Sequence, residues 1–199
     1  MIILHPVYYG RMRKSLLILL FFVSLGGVHK ASAQLDKHYF FYVGRSYIID
    51  NKFRDAIETL NVLLKVDEKA YEGYFLRGIA KYNLDDLLGA EQDFSYAIEN
   101  NPVFTAAYQY RAITRSRLGN YDDALKDFQV AIDLRPDLPG PYYSRGVTRL
   151  LNQQFKEAID DFDKFIRQEN KVADAFICRG LSYLHLEDTP RADENFNTA

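Results

Sequence analysis

Apolar side chains recur at three- and four-residue steps over roughly residues 140–151 and again over 155–167, with polar and charged residues between them. That spacing gathers the apolar positions on one stripe of an α-helix. The two stretches predict a pair of amphipathic helices, broken at Gln153-Gln154. Matching breaks fall at Asn51-Lys52, Asp85-Asp86 and Gly119-Asn120, and the pairs are separated near "ENNP" and "LRPD", where proline stops the preceding helix. Helix pairs this short cannot bury a face alone. The pattern therefore predicts an all-α chain in which neighbouring pairs stack and share a continuous core.

The pairs are copies of one another. "YFLRG" starts at Tyr74, "YQYRA" at Tyr108, "YYSRG" at Tyr142 and "FICRG" at Phe176, each step being 34 residues. A second column at the same step is Ala56, Ala90, Ala124, Ala158 and Ala192, and a third is Leu60, Phe94, Phe128, Phe162 and Phe196. Three matched columns at one period define an internal repeat.

With these columns in place, the chain resembles the tetratricopeptide repeat (TPR) family, whose motif carries an aromatic, Leu-Gly, Tyr, Ala, Phe and Pro at set offsets. The units run 37–70, 71–104, 105–138, 139–172 and 173–199, so the resemblance covers nearly all of 37–199. The glycine column holds Gly44, Gly78, Ala112, Gly146 and Gly180, and proline stands at Pro102 and Pro136. Departures are also regular. Tyr or Phe replaces tryptophan, arginine replaces leucine in units two to five, and the tyrosine column keeps only Tyr47 and Tyr183, with Lys81, Arg115 and Arg149 between them. The resemblance implies a right-handed α-solenoid of about five helix-turn-helix repeats, the last incomplete. It also implies that the glycine column lies where the helices of a unit cross, with Gly146 facing Ala158. The fifth unit stops at Ala199, about seven residues short of a full period. Solenoids end in a polar capping helix, so the chain is expected to be the front portion of a longer protein.

The arginines have partners at a fixed offset. Arg77 and Asp93, Arg111 and Asp127, and Arg145 and Asp161 are each sixteen apart; unit five has Arg179 with Asn195, and unit one has Val43 with Thr59, losing both members together. Pairs between units, such as Asp93 with Arg111, are equally available from the spacing. Either way the expected role is structural, a guanidinium at the helix seam with its stem packed and its head paired.

The first 33 residues differ from the rest. Arg11, Arg13 and Lys14 precede "SLLILLFFVSLGGV", 14 residues long, and "ASA" at 31–33 follows. A basic start, a short apolar run and A-x-A predict a secretory signal peptide, with Met12 an alternative start; a membrane span needs roughly 20 residues. Of the 25 basic groups, four lie in this leader with no acidic one, leaving 21 basic against 27 acidic and a mature net charge of about −6. That balance disfavours nucleic acid. The single Cys178 permits no internal disulfide, so the fold must rest on its core.

In TPR proteins the first helix of each unit lines a concave groove that holds peptides or helices. Carried over by position, the lining would be Phe41, Tyr42, Arg45, Phe75, Leu76, Ile79, Tyr82, Gln109, Tyr110, Ile113, Tyr143, Val147, Ile177 and Leu181, an apolar and aromatic face suited to protein contact. The Lys/Asn/Arg set with which some TPR domains grip a terminal carboxylate has no match at Phe75, Ile79, Tyr110, Gly140 or Ser144. Chemistry is not indicated. His38 and His185 are isolated, Cys178 has only His185 seven residues on, no Gly-rich phosphate loop occurs, and the Asp pairs at 85, 122 and 160 belong to helix starts or solvated faces. The expectation is a non-enzymatic, exported interaction scaffold of a bacterial periplasm or envelope. It would need no cofactor or metal, would bind a protein or peptide, and would have no membrane span after the leader, with a contact to its own continuation beyond Ala199. The alternative is the sensory or regulatory front of a larger exported receptor or envelope enzyme.

Overall fold

A computed structural model describes residues 37–199; the expected leader over 1–33 lies outside the described residues. The described residues form ten helices and no strand. In chain order these are α1 Lys37–Ile49, α2 Phe53–Val66, α3 Tyr71–Asn83, α4 Leu87–Asn100, α5 Thr105–Arg117, α6 Tyr121–Leu134, α7 Pro139–Leu151, α8 Phe155–Ile166, α9 Ala173–His185 and α10 Thr189–Thr198. Each odd-numbered helix pairs with the even-numbered one after it, giving five helix-turn-helix units in a stacked α-solenoid.

Every break between the helices of a unit is built the same way. Asn51, Asp85, Gly119, Gln153 and Glu187 stand at one column with φ of 58, 66, 80, 58 and 62°. At each, the next residue's N–H reaches a carbonyl five back, as Gln154 does to Arg149 at 2.8 Å, and the left-handed residue's own N–H reaches a carbonyl three back. This pair of bonds satisfies carbonyls that a helix end otherwise leaves open. Only Gly119 adopts the left-handed conformation without steric cost.

The core is the set of columns read from the sequence. Ala56, Ala90, Ala124, Ala158 and Ala192 are all sealed from solvent, as are Leu60, Phe94, Phe128 and Phe162. The expected facing of Gly146 to Ala158 is corrected. A Cβ on Gly146 would meet the Phe162 ring at 2.9 Å, one on Gly78 the Phe94 ring at 2.7 Å and one on Gly44 the Leu60 side chain at 2.7 Å. The glycine admits the aromatic ring of its own unit's second helix, one turn beyond the alanine.

First helices of successive units touch one another, while second helices of successive units do not. Five pairs stacked with one side closer than the other must curve toward the closer side. The first helices α1, α3, α5, α7 and α9 therefore line the inner, concave face.

Candidate functional site

The seam between the two helices of a unit is ionic and lies within the unit. Arg77, Arg111 and Arg145 each donate through Nε at 2.8 Å and Nη2 at 2.7 Å to the two carboxylate oxygens of Asp93, Asp127 and Asp161. This is the bidentate fork that only arginine makes. The remaining nitrogen, Nη1, reaches into the preceding unit: Arg77 to Asn61 at 2.6 Å, Arg111 to Ser95 at 3.1 Å and Arg145 to Gln129 at 2.6 Å. Arg179 keeps one arm of the fork, Nε to Asn195 at 2.8 Å, and its Nη1 reaches Asp163 of the preceding unit. Each guanidinium carbon also lies 5.4–5.8 Å from the ring three residues earlier, at Tyr74, Tyr108, Tyr142 and Phe176. The aromatic-x-x-Arg-Gly string is thus one device: a ring beneath the cation, a fork to the aspartate and a gap for the phenylalanine. Burial alone would lower the pKa of Arg77, but its hydrogen bonds and charge attraction to Asp93 outweigh that and hold it above the ordinary value.

Sequence reasoning missed the second cation. Lys81 reaches Asp93 at 2.8 Å, Arg115 reaches Asp127 at 2.8 Å and Arg149 reaches Asp161 at 2.6 Å. The signal was present in the columns: where Asp gives way to Thr59 or Asn195, the cation gives way to Tyr47 or Tyr183. Arg115 has a further partner, Glu91, at 2.6 Å through Nε. Arg149 donates through Nη1 to the Glu157 carbonyl at 3.2 Å, but Leu125 stands where Glu91 stands one unit earlier, and its buried Nε is left without a hydrogen bond.

On the concave face, Ile79, Ile113 and Val147 form a half-buried aliphatic row that continues into exposed Leu181 and begins at exposed Arg45. A second row is aromatic, and it is committed partly to packing within and between units. Phe75 lies 4.9 Å from Phe104 and 5.4 Å from Tyr110, edge to face, and Tyr143 lies 5.0 Å from Phe165. Phe41 and Leu76 pack against the first core cluster, and the Tyr82 ring lies under Arg117 at 4.8 Å. Gln109 lies over Gly140, in the space a side chain there would fill. Tyr42 and Ile177 are exposed at the two ends of the face. Beside Tyr42, an open pocket of about 490 Å³ lies between α1 and α3, lined by His38, Phe41, Leu63 and Tyr71.

A family model for the tetratricopeptide repeat matches residues 44–103, 76–139 and 110–171. The chain belongs to the tetratricopeptide repeat family. Among solved TPR structures, MamA from Desulfovibrio magneticus RS-1 superposes with a TM-score of 0.76 at 18% identity, over 81% of this chain and 92% of that one. YrrB, described as a TPR protein with an unusual peptide-binding site, gives a TM-score of 0.70 at 19% identity, over 82% and 84%. At such identities the likeness bears on the fold alone. No curated protein matches the chain.

Burial pushes the Cys178 thiol above its ordinary pKa, and Asp174 adds to this while the Tyr143 hydroxyl opposes it; a thiol held protonated is a weak nucleophile. Burial, with Cys178 and Asp174 nearby, pushes the Tyr143 hydroxyl up to about 12. His185 lies flat on Phe155 of the preceding unit, ring centroids 4.5 Å apart. No group of three or more His, Cys, Asp or Glu among the described residues could hold a metal ion, and no described helix is long and apolar enough to cross a membrane.

Proposed function

We propose that this TPR protein is an exported scaffold that binds a peptide or helix of a partner protein along its concave face, by surface complementarity and without chemistry. The observation that carries the reading is the aliphatic row Ile79, Ile113, Val147 and Leu181, aligned on the inner curve and only half-covered by the protein's own packing. Such a row offers apolar area that a partner can remove from water. The peptide-binding site in the description of YrrB is consistent with it. Export rests on the leader pattern at 1–33.

The test uses Ile113→Lys with Val147→Lys. A lysine stem keeps part of the apolar packing while its charged head projects into the groove. The expected result is an unchanged thermal melt and loss of a defined set of envelope proteins that the wild type retains. Equal capture by both forms at equal stability removes the groove from the reading. Export is checked by the N-terminus of the protein recovered from the envelope fraction, expected at Gln34.

A further inference from the structure

Helix α1 breaks the column that lets one unit nest on the unit before. At its third place the later first helices carry Gly73, Ala107, Pro141 and Ala175, and seven residues on they carry Ala80, Thr114, Thr148 and Ser182, all buried. A Cβ on Gly73 would already meet Leu63 of the preceding unit at 2.8 Å. α1 has Tyr39 and Ser46 at these two places, both exposed. A tyrosine ring does not enter a slot sized for alanine, so this face does not accept a further repeat of the same kind. Nor is it polar, as the outer face of a terminal repeat is required to be. Tyr39, Tyr42 and Ile49 are 46, 61 and 70% exposed.

Tyr39, Tyr42, Ser46 and Ile49 are spaced three, four and three, which is the a/d seam of a short coiled coil. The flanks of this seam carry opposite charges. Arg45, just before Ser46, stands at a g position, and Asp50, just after Ile49, stands at an e position; both are exposed. Two copies of α1 laid parallel bring the g flank of one against the e flank of the other, five residues on. Arg45 of each copy then meets Asp50 of the other, a charge-assisted pair made twice. Laid antiparallel, like flanks meet and Arg45 faces Arg45. Charge therefore selects the parallel arrangement.

We propose that the protein forms a symmetric dimer through α1, with the two-fold axis running along a parallel pair of these helices. The rest of the same chain is poorly placed to fill the seam instead. Chain following Ala199 starts from α10, at the far end of the stack from α1. On the export reading, on which this step rests, removal of 1–33 leaves residues 34–36 ahead of α1. Those three reach about 10 Å at full stretch, against about 15 Å of seam from Tyr39 to Ile49. The contact leaves the row Ile79, Ile113, Val147 and Leu181 of each copy uncovered, so the dimer offers two grooves. A seam this short falls below the roughly 1,200 Å² of a standard interface, which makes the dimer weak and reversible.

The measurement is sedimentation velocity of the protein recovered from the envelope fraction, its N-terminus read by mass, over about 1 to 500 µM, where a weak interface populates both states. The dimer fraction is expected to rise with concentration. Tyr39→Asp and Ile49→Asp should each weaken association about tenfold or more, with the thermal melt unchanged because both side chains are exposed. Arg45→Asp or Asp50→Arg alone weakens it, and the two together in one chain restore it. A monomer at every concentration overturns the proposal, as does a dimer that ignores both Tyr39→Asp and Ile49→Asp. Failure of the double exchange to restore association overturns the parallel pairing. A dimer seen only while 1–33 remain attached gives the contact to the leader and equally overturns it. The Ile113→Lys with Val147→Lys protein is expected to dimerise like the wild type while losing its captured proteins, so the groove reading and the dimer stand or fall separately.

Discussion

Arg145 clasps Asp161 through both carboxylate oxygens, at 2.8 and 2.7 Å, with both residues buried. Asp161 also holds Arg149 at 2.6 Å, so one carboxylate is shared between two cations. Asp161→Ala strands both, and removing one member of a buried pair costs about 3–5 kcal/mol. Replacing the whole set is a different matter. Unit one carries Val43, Tyr47 and Thr59 at these places and has no ion pair there. The triple change Arg145→Val, Arg149→Tyr and Asp161→Thr is therefore expected to lose far less stability than Asp161→Ala alone, because no charge is left buried without a partner. Urea unfolding of the two proteins decides it; a triple variant no better than the single would mean that the ion set contributes net stability.

The repeat architecture was legible because it rests on small and apolar residues at a strict 34-residue step, and such columns survive in a single sequence. The direction of the Arg–Asp pairs was not, since Asp93 is sixteen residues from Arg77 and eighteen from Arg111, and only the helix crossing selects the first. The facing of Gly146 was misplaced by one turn, because a glycine records that something large comes close but not which neighbour does. On the groove, the sequence placed Phe75, Tyr110 and Tyr143 among partner-binding residues, yet spacing alone could not reveal how far their rings are engaged in the protein's own packing.

The unpartnered Nε of Arg149 points to a stabilising change. Arg115 satisfies the same atom with Glu91, twenty-four residues earlier, and the equivalent place before Arg149 is Leu125, half-buried. Leu125→Glu is expected to raise stability by about 1 kcal/mol, a charge-assisted hydrogen bond offset by lost leucine packing. In an Arg149→Tyr background the gain should vanish. A gain of equal size in both backgrounds would locate the effect elsewhere than in the seam.

The glycine crossings differ in how freely their rings can move. A Cβ at Gly180 would meet Phe196 at 2.6 Å, and one at Gly146 would meet Phe162 at 2.9 Å. Phe162 is sealed, whereas Phe196 is 38% exposed and can shift toward solvent. Alanine is better than glycine inside a helix by about 0.5–1 kcal/mol. Gly180→Ala is thus expected to recover most of that gain, while Gly146→Ala forfeits it to the displaced ring. Thermal melts showing the reverse order would contradict this account of the crossings.

Tyr143 makes the fold sensitive to alkali. Burial, with the Cys178 thiol and Asp174 close by, holds its hydroxyl at about 12 against an ordinary value of about 10. Below about pH 10 both folded and unfolded chains keep the proton, and the contribution to stability is fully present. Between about pH 10 and 12 the unfolded chain ionises first, so stability falls as pH rises through the folded value. Tyr143→Phe removes the titrating group and leaves the ring against Phe165. Urea midpoints measured from about pH 9 to 11 should fall less steeply in the variant. Some slope remains, because burial also raises the Tyr74 hydroxyl. Identical slopes would mean that the Tyr143 hydroxyl titrates freely and that its side of the groove is more open to water than its packing implies.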